Sequence, residues 1–78
     1  MHEASTALAR ELGRLVRDRR IELGLSQAEV AERCGMKQPQ ISRFEAGGTM
    51  PTLPLLGRLA DALGADLTIS LTSHGKAA

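Results

Sequence analysis

Seventy-eight residues carry ten Lys and Arg against nine Asp and Glu, a net charge of +1, with one Phe and no Trp or Tyr; this suits one small domain of short helices packed through aliphatic side chains. So short a chain buries only about 60–65% of the surface its unfolded form exposes, so the core is expected to be thin and helped by a second copy. The charge balance excludes a general attraction to polyanions, no apolar run approaches the roughly 18–20 residues of a membrane span, no secretory leader pattern opens the chain, and the lone Cys34 excludes an internal disulfide. A cytoplasmic location is the expectation.

In chain order, Leu8, Leu12, Leu15, Val16 and Leu23 recur at three- and four-residue steps and predict an amphipathic first helix over 5–23, ended by Gly24, with its arginines outward. Arg10, Arg14, Arg17, Arg19 and Arg20 concentrate positive charge there, while Asp61 and Asp66 lie near the other end. Ser26-Gln27-Ala28-Glu29 has the spacing of a capping box and starts a second helix, which Gly35 must end by about Cys34. A third helix begins after Lys37, with Pro39 tolerated in its first turn, and runs to Glu45. Ala46 to Pro51 reads as a loop. Thr52 then caps a fourth helix with Pro54 in its first turn and Leu55, Leu56, Leu59, Ala60 and Leu63 as its inward stripe.

After Gly64 the period changes from 3.6 to 2. Leu67, Ile69 and Leu71 alternate with Thr68, Ser70 and Thr72, as in a half-buried strand. No other segment offers it a mate, so the strand is expected to pair with its own copy across a two-fold axis. One domain over 1–72 and a disordered tail over 73–78 complete the expected organisation. Val30, Ala31, Met36, Ile41, Phe44, Leu55, Leu59 and Leu63 are the expected core.

Two short helices joined by a tight Gly-containing turn, the second opening with polar residues, follow the helix-turn-helix plan. Leu25-Ser26-Gln27, Val30-Ala31, Gly35-Met36, Ile41-Ser42-Arg43-Phe44-Glu45, Gly47, Pro51 and Leu59-Ala60-Leu63-Gly64 resemble the lambda Cro/C1-type helix-turn-helix family, also called the XRE family, over roughly 15–65. Within it, Lys37-Gln38, Ile41-Ser42 and Phe44-Glu45 are similar to antitoxins of the HipB type, and a C-terminal strand is a feature of the HipB and HigA types. The resemblance implies an all-α, lambda-repressor-like domain of four to five short helices. Its third helix reads the major groove of an inverted-repeat, palindromic operator in double-stranded DNA, and the protein acts as a homodimeric repressor. A strand at 67–71 stands where the family places a fifth helix. The resemblance also implies a possible toxin partner.

On the third helix, Gln38 can offer a donor and an acceptor together to adenine N6 and N7, and Arg43 can make a bidentate contact to guanine O6 and N7. Lys37, Gln40 and Pro39 flank these two, Pro39 offering only apolar contact, for instance to a thymine methyl. Gln27 resembles the family's phosphate-contacting glutamine, at a helix N-terminus whose amides favour an anion; its other reading is support for the cap. Ser26 and Ser42 join it as expected phosphate contacts. Arg20 and Glu45 match a pair that in the family forms a salt bridge from the first helix to the end of the third.

Catalysis is not expected, because the chain has no nucleophile and base constellation and Gly47-Gly48 is too short to cradle a phosphate. His2 and His74 have no metal-ligand spacing around them, and Cys34 reads as a small buried hydrophobe; no cofactor or metal is expected. The rival reading is a protein-interaction module that neutralises a toxin with little DNA binding of its own, which the near-neutral charge favours and Gln38 and Arg43 oppose.

Overall fold

The computed structural model describes residues 3–75, with side chains from Thr6 onward. Four helices make up the regular structure among them: α1 (Glu3–Glu22), α2 (Gln27–Cys34), α3 (Gln38–Glu45) and α4 (Leu53–Ala62). Helix α2 starts on the predicted capping box. Glu29 N donates to Ser26 Oγ at 3.0 Å and Ser26 N donates to Glu29 Oε1 at 2.9 Å, satisfying two amides that the helix itself leaves unpaired. The backbone hydrogen bond from Ser26 holds the Glu29 carboxyl below its ordinary value. Thr52 caps α4 by accepting from Leu55 N at 3.3 Å.

At the far end of α2, Gly35 takes φ +70°, so that Met36 N reaches back to Ala31 O at 2.9 Å. Only glycine adopts this left-handed conformation without steric cost, and it turns the chain sharply into α3. The same six-to-one closure, ending on Leu25 N, Gly48 N and Ala65 N, stops α1, α3 and α4. Two arginines then satisfy carbonyls at the end of α4: Arg19 Nε donates to Leu63 O at 2.9 Å and Arg33 Nη1 to Ala62 O at 3.3 Å. Positive charge at a helix C-terminus is also favoured by the helix dipole.

The core gathers Val16, Val30, Ala31, Cys34, Ile41, Phe44, Leu56, Leu59 and Leu63, with Leu12, Leu25, Met36 and Leu55 packed on its edge. Phe44, Ile41, Leu59 and Val30 are fully buried. Phe44 and Ile41 come from α3 itself, so the core that stabilises the domain also fixes the angle of α3.

Helix α1 differs from its predicted face. Val16 is buried and Leu12 packs on the core edge as expected, but Leu8, Leu15 and Leu23 are about half exposed, and Ala9 and Gly13 complete the buried face in their place. Close approach explains the choice: a Cβ on Gly13 would lie 2.3 Å from Phe44 O and 2.8 Å from Glu45 O, so α1 crosses the end of α3 backbone to backbone. A leucine-lined face would hold the two helices apart. Nor are all the α1 arginines outward, since Arg19 and Arg20 turn toward the body of the domain and are only partly exposed.

The strand expected at Leu67, Ile69 and Leu71 is absent, as no strand occurs among the described residues, and no fifth helix follows α4. The physical reason is that a ladder needs a neighbouring strand, and the regular structure of this single chain is all helix among the described residues. The segment instead runs beside α1 and α4, where Leu67 and Ile69 share a groove with Leu8, Leu12, Leu53 and Leu56, while Leu71 is fully exposed. Of the tail expected over 73–78, Ser73 Oγ bonds to Gly75 O at 2.7 Å; residues 76–78 lie outside the described residues, as does His2.

Candidate nucleic-acid interface

Ile41, Phe44 and Glu45 form the inward face of α3, so the helix turns Gln38, Pro39, Gln40, Ser42 and Arg43 to the outside, where all five are exposed. At about 100° per residue, Pro39 and Arg43 point most directly away from the core, while Gln38 stands about 140° from Arg43, on the flank of α3 that meets Gln27. An exposed polar face of this kind is what a recognition helix offers to a groove.

Glu45 is the one buried charged residue of the described set, and it is fully paired. Arg20 grips it with two parallel bonds, Nε to Oε2 at 2.7 Å and Nη2 to Oε1 at 3.0 Å, while Nη1 donates to Leu25 O at 2.8 Å. The Glu45 hydrogen bonds raise the Arg20 pKa above its ordinary value, against the opposing effect of burial. Bidentate geometry and burial put this pair in the class whose disruption is costly, because the surviving partner would be left charged and unpaired.

From Glu45 a chain of amides leads to the outward face of α3. Gln27 Nε2 donates to Glu45 Oε1 at 3.1 Å, and Gln38 Nε2 donates to Gln27 Oε1 at 2.6 Å. The order of atoms follows from chemistry. An ionised carboxylate can only accept, so Gln27 must turn its NH2 toward Glu45 and its carbonyl toward Gln38; Gln38 must then present its own NH2 to Gln27. That leaves Gln38 with a free carbonyl oxygen and one free N–H, the acceptor and donor that adenine N6 and N7 require. Gln27 likewise keeps one N–H for an external acceptor. Gln27 and Gln38 both occupy the first position of their helices, but their contact depends on how α2 and α3 pack, which no local sequence signal carries.

The other expected residues divide. Arg43 is exposed and without an ion pair among the described residues, and its aliphatic stem is confined by Gly48, where a Cβ would come within 3.1 Å of Arg43 Cγ. Together with Gln40, Thr49 and Thr52 it lines a depression of about 220 Å³ between α3 and the start of α4. Gln40 Oε1 accepts from Lys37 N at 2.8 Å, so its carbonyl serves as a cap for α3 and only its NH2 remains for an outside partner. Lys37 and Pro39 are exposed beside it. The Ser26 oxygen is occupied by the cap, whereas Ser42 stands exposed one turn beyond Gln38. Cys34 is buried at 3.8 Å from Arg58 O, and burial pushes its thiol up. No cluster of three or more potential metal ligands occurs among the described residues, and none of the described helices is long and apolar enough to cross a membrane.

Two short helices locked by a glycine turn, with the second presenting an outward polar face oriented by a buried ion pair, define a helix-turn-helix domain. Residues 11–68 match the family described as "Helix-turn-helix domain". The chain belongs to the XRE-type helix-turn-helix family of DNA-binding transcription regulators. It is 48% identical over 50 residues to an HTH-type transcriptional regulator of Methanothermobacter thermautotrophicus, covering 64% of this chain and 72% of that protein. It is 49% identical over 47 residues to antitoxin HigA1 of Mycobacterium tuberculosis, covering 60% of this chain but 32% of the antitoxin. The crystal structure of the restriction-modification controller protein C.AhdI from Aeromonas hydrophila superposes with a TM-score of 0.77 at 28% identity, over 83% of this chain and 93% of that one.

Proposed function

We propose that the protein is a sequence-specific transcriptional regulator that binds an inverted-repeat operator as a homodimer in the cytoplasm and represses its own transcription. The observation that carries this reading is the hydrogen-bonded chain from Arg20 through Glu45 and Gln27 to Gln38, which leaves one oriented donor–acceptor pair on the outer face of α3. A surface helix with no reading role has no need of a buried charge to order its first side chain. Gln38 and Arg43 read bases, with Lys37, Pro39 and the Gln40 amide flanking them; Gln27 and Ser42 hold phosphate, and Ser26 contributes through the helix N-terminus it caps.

The dimer reading is supported by the apolar surface left open along Leu8, Leu53, Leu67, Ile69 and Leu71, which pairing of the 67–71 segments across a two-fold axis would cover. A symmetric pair places the two α3 helices roughly 34 Å apart, one turn of DNA. Similarity to HigA1 favours a second role as the antitoxin of a toxin–antitoxin pair. The matched stretch covers only 32% of that antitoxin, so the similarity carries the toxin-binding role less far than the DNA role, which the family match over residues 11–68 also supports.

Fluorescence anisotropy against DNA from just upstream of the coding region, beside a scrambled copy, tests autoregulation. Preference for the upstream DNA that survives physiological salt is the expected result. Equal binding of both DNAs would remove the autoregulatory role.

A further inference from the structure

Most of the arginines on α1 have their charge spoken for. Arg14 pairs with Glu11 at 2.6 Å and Asp18 at 2.8 Å, Arg19 holds Glu22 and the end of α4, and Arg20 holds Glu45. Arg17 is exposed and has no ion pair or hydrogen bond among the described residues. It lines a shallow depression of about 390 Å³ with Gln27, Ser42, Glu45 and Ala46. Three elements meet there: α1, the first turn of α2 and the outer flank of α3. Ser42 lies one turn from Gln38, so the depression is continuous with the reading face.

Its electrostatics are decided by what Glu45 is doing. Both carboxylate oxygens accept from Arg20, and Oε1 also accepts from Gln27, so the acid in the wall is neutralised within the fold. Arg17 is then the uncompensated charge of the depression, beside the free N–H of Gln27 and the Ser42 hydroxyl. We infer that Arg17 is a phosphate-binding residue of the interface, its guanidinium and the Gln27 amide closing on one phosphate of the DNA backbone from opposite sides of this depression. The assignment rests on the DNA-binding reading and adds to it an anchor from α1, outside the helix-turn-helix itself. Arg suits the task because its planar fork matches two phosphate oxygens.

The test is the salt dependence of DNA affinity for wild type, Arg17→Ala, Arg17→Lys and Arg14→Ala, measured by anisotropy on the preferred sequence and on a scrambled one. One lost phosphate contact flattens the slope of log K against log salt by about 0.9, so the advantage of wild type over Arg17→Ala shrinks about 3.5-fold between 50 and 200 mM salt. The loss is equal on both DNAs, Arg17→Lys restores the slope, and Arg14→Ala leaves it unchanged. Salt-dependent wild-type binding with the same slope in Arg17→Ala overturns this assignment alone. Wild-type protein that shows no salt-dependent binding overturns the DNA reading and this assignment with it.

Discussion

At the scale of single residues, the outward helix face matters less than the buried charge behind it. Glu45 fixes the direction of two amides in series, and its own direction is fixed by Arg20. Replacing Glu45 by Ala is expected to cost about 3–5 kcal/mol, since it strands a largely buried guanidinium, and chemical denaturation would read this as a lower midpoint. Gln27→Ala leaves the fold intact but removes both the proposed phosphate donor and the acceptor that orders Gln38. It is therefore expected to weaken binding to every sequence and also to relax preference at the base read by Gln38, whereas Arg43→Ala relaxes a different position only; binding-site selection with each variant checks this. Identical preference profiles for the two would contradict the assigned roles. The residues Gln27, Gln38, Arg20 and Glu45 are each visible in the sequence, but their connection is not, because hydrogen bonds between positions 11, 18 and 25 apart follow from tertiary packing.

At the scale of elements, local chemistry was the legible part. The Ser26–Glu29 box, the turn at Gly35, Pro39 in the first turn of α3 and the Thr52 cap all act over a few residues, so their meaning is written locally. The face of α1 was not legible. Leucine spacing marked Leu8 and Leu15 as inward, yet the contact that decides the face is made by Gly13 against a backbone about thirty residues away in sequence. Gly13→Ala is the sharpest probe. Alanine is better than glycine inside a helix by about 1 kcal/mol, but a Cβ at 2.3 Å from Phe44 O cannot be accommodated without moving α1. Overpacking of this kind costs about 1–3 kcal/mol or more, so the net expectation is a lower melting temperature; a rise would show that α1 does not cross α3 so closely. A second probe is acid. Glu29 is held below its ordinary value by Ser26, so its contribution is present above the unfolded carboxyl pKa of about 4.3 and is lost as pH falls through its lowered folded value. Glu29→Gln should therefore lower stability near neutrality, with the difference from wild type closing as pH falls through the Glu29 folded value.

At the scale of the whole molecule, four helices form a core around Phe44 and leave the 65–74 segment without regular structure. The two-residue alternation of Leu67, Ile69 and Leu71 is a real feature of the sequence, but alternation specifies which side chains share a face and says nothing about whether a neighbouring strand exists. A second copy would supply one. Charged substitutions at both Leu67 and Ile69 are accordingly expected to convert a dimer to a folded monomer, read as a halved mass in sedimentation with an unchanged helical spectrum. An unaltered mass would place the dimer contact elsewhere. Dimerisation also bears on affinity, because two half-sites joined on one rigid body bind far more tightly than one.

Sequence-specific reading by α3 is tested most directly by selecting binding sites from random-sequence DNA and comparing the enriched sequence with its scrambled form at physiological salt. An inverted repeat with half-sites about 10 base pairs apart, bound about a thousandfold or more tighter than the scrambled DNA, is the expected result. Failure to enrich any sequence, with weak binding that disappears as salt rises, would contradict it and leave the outward face of α3 without a reading role.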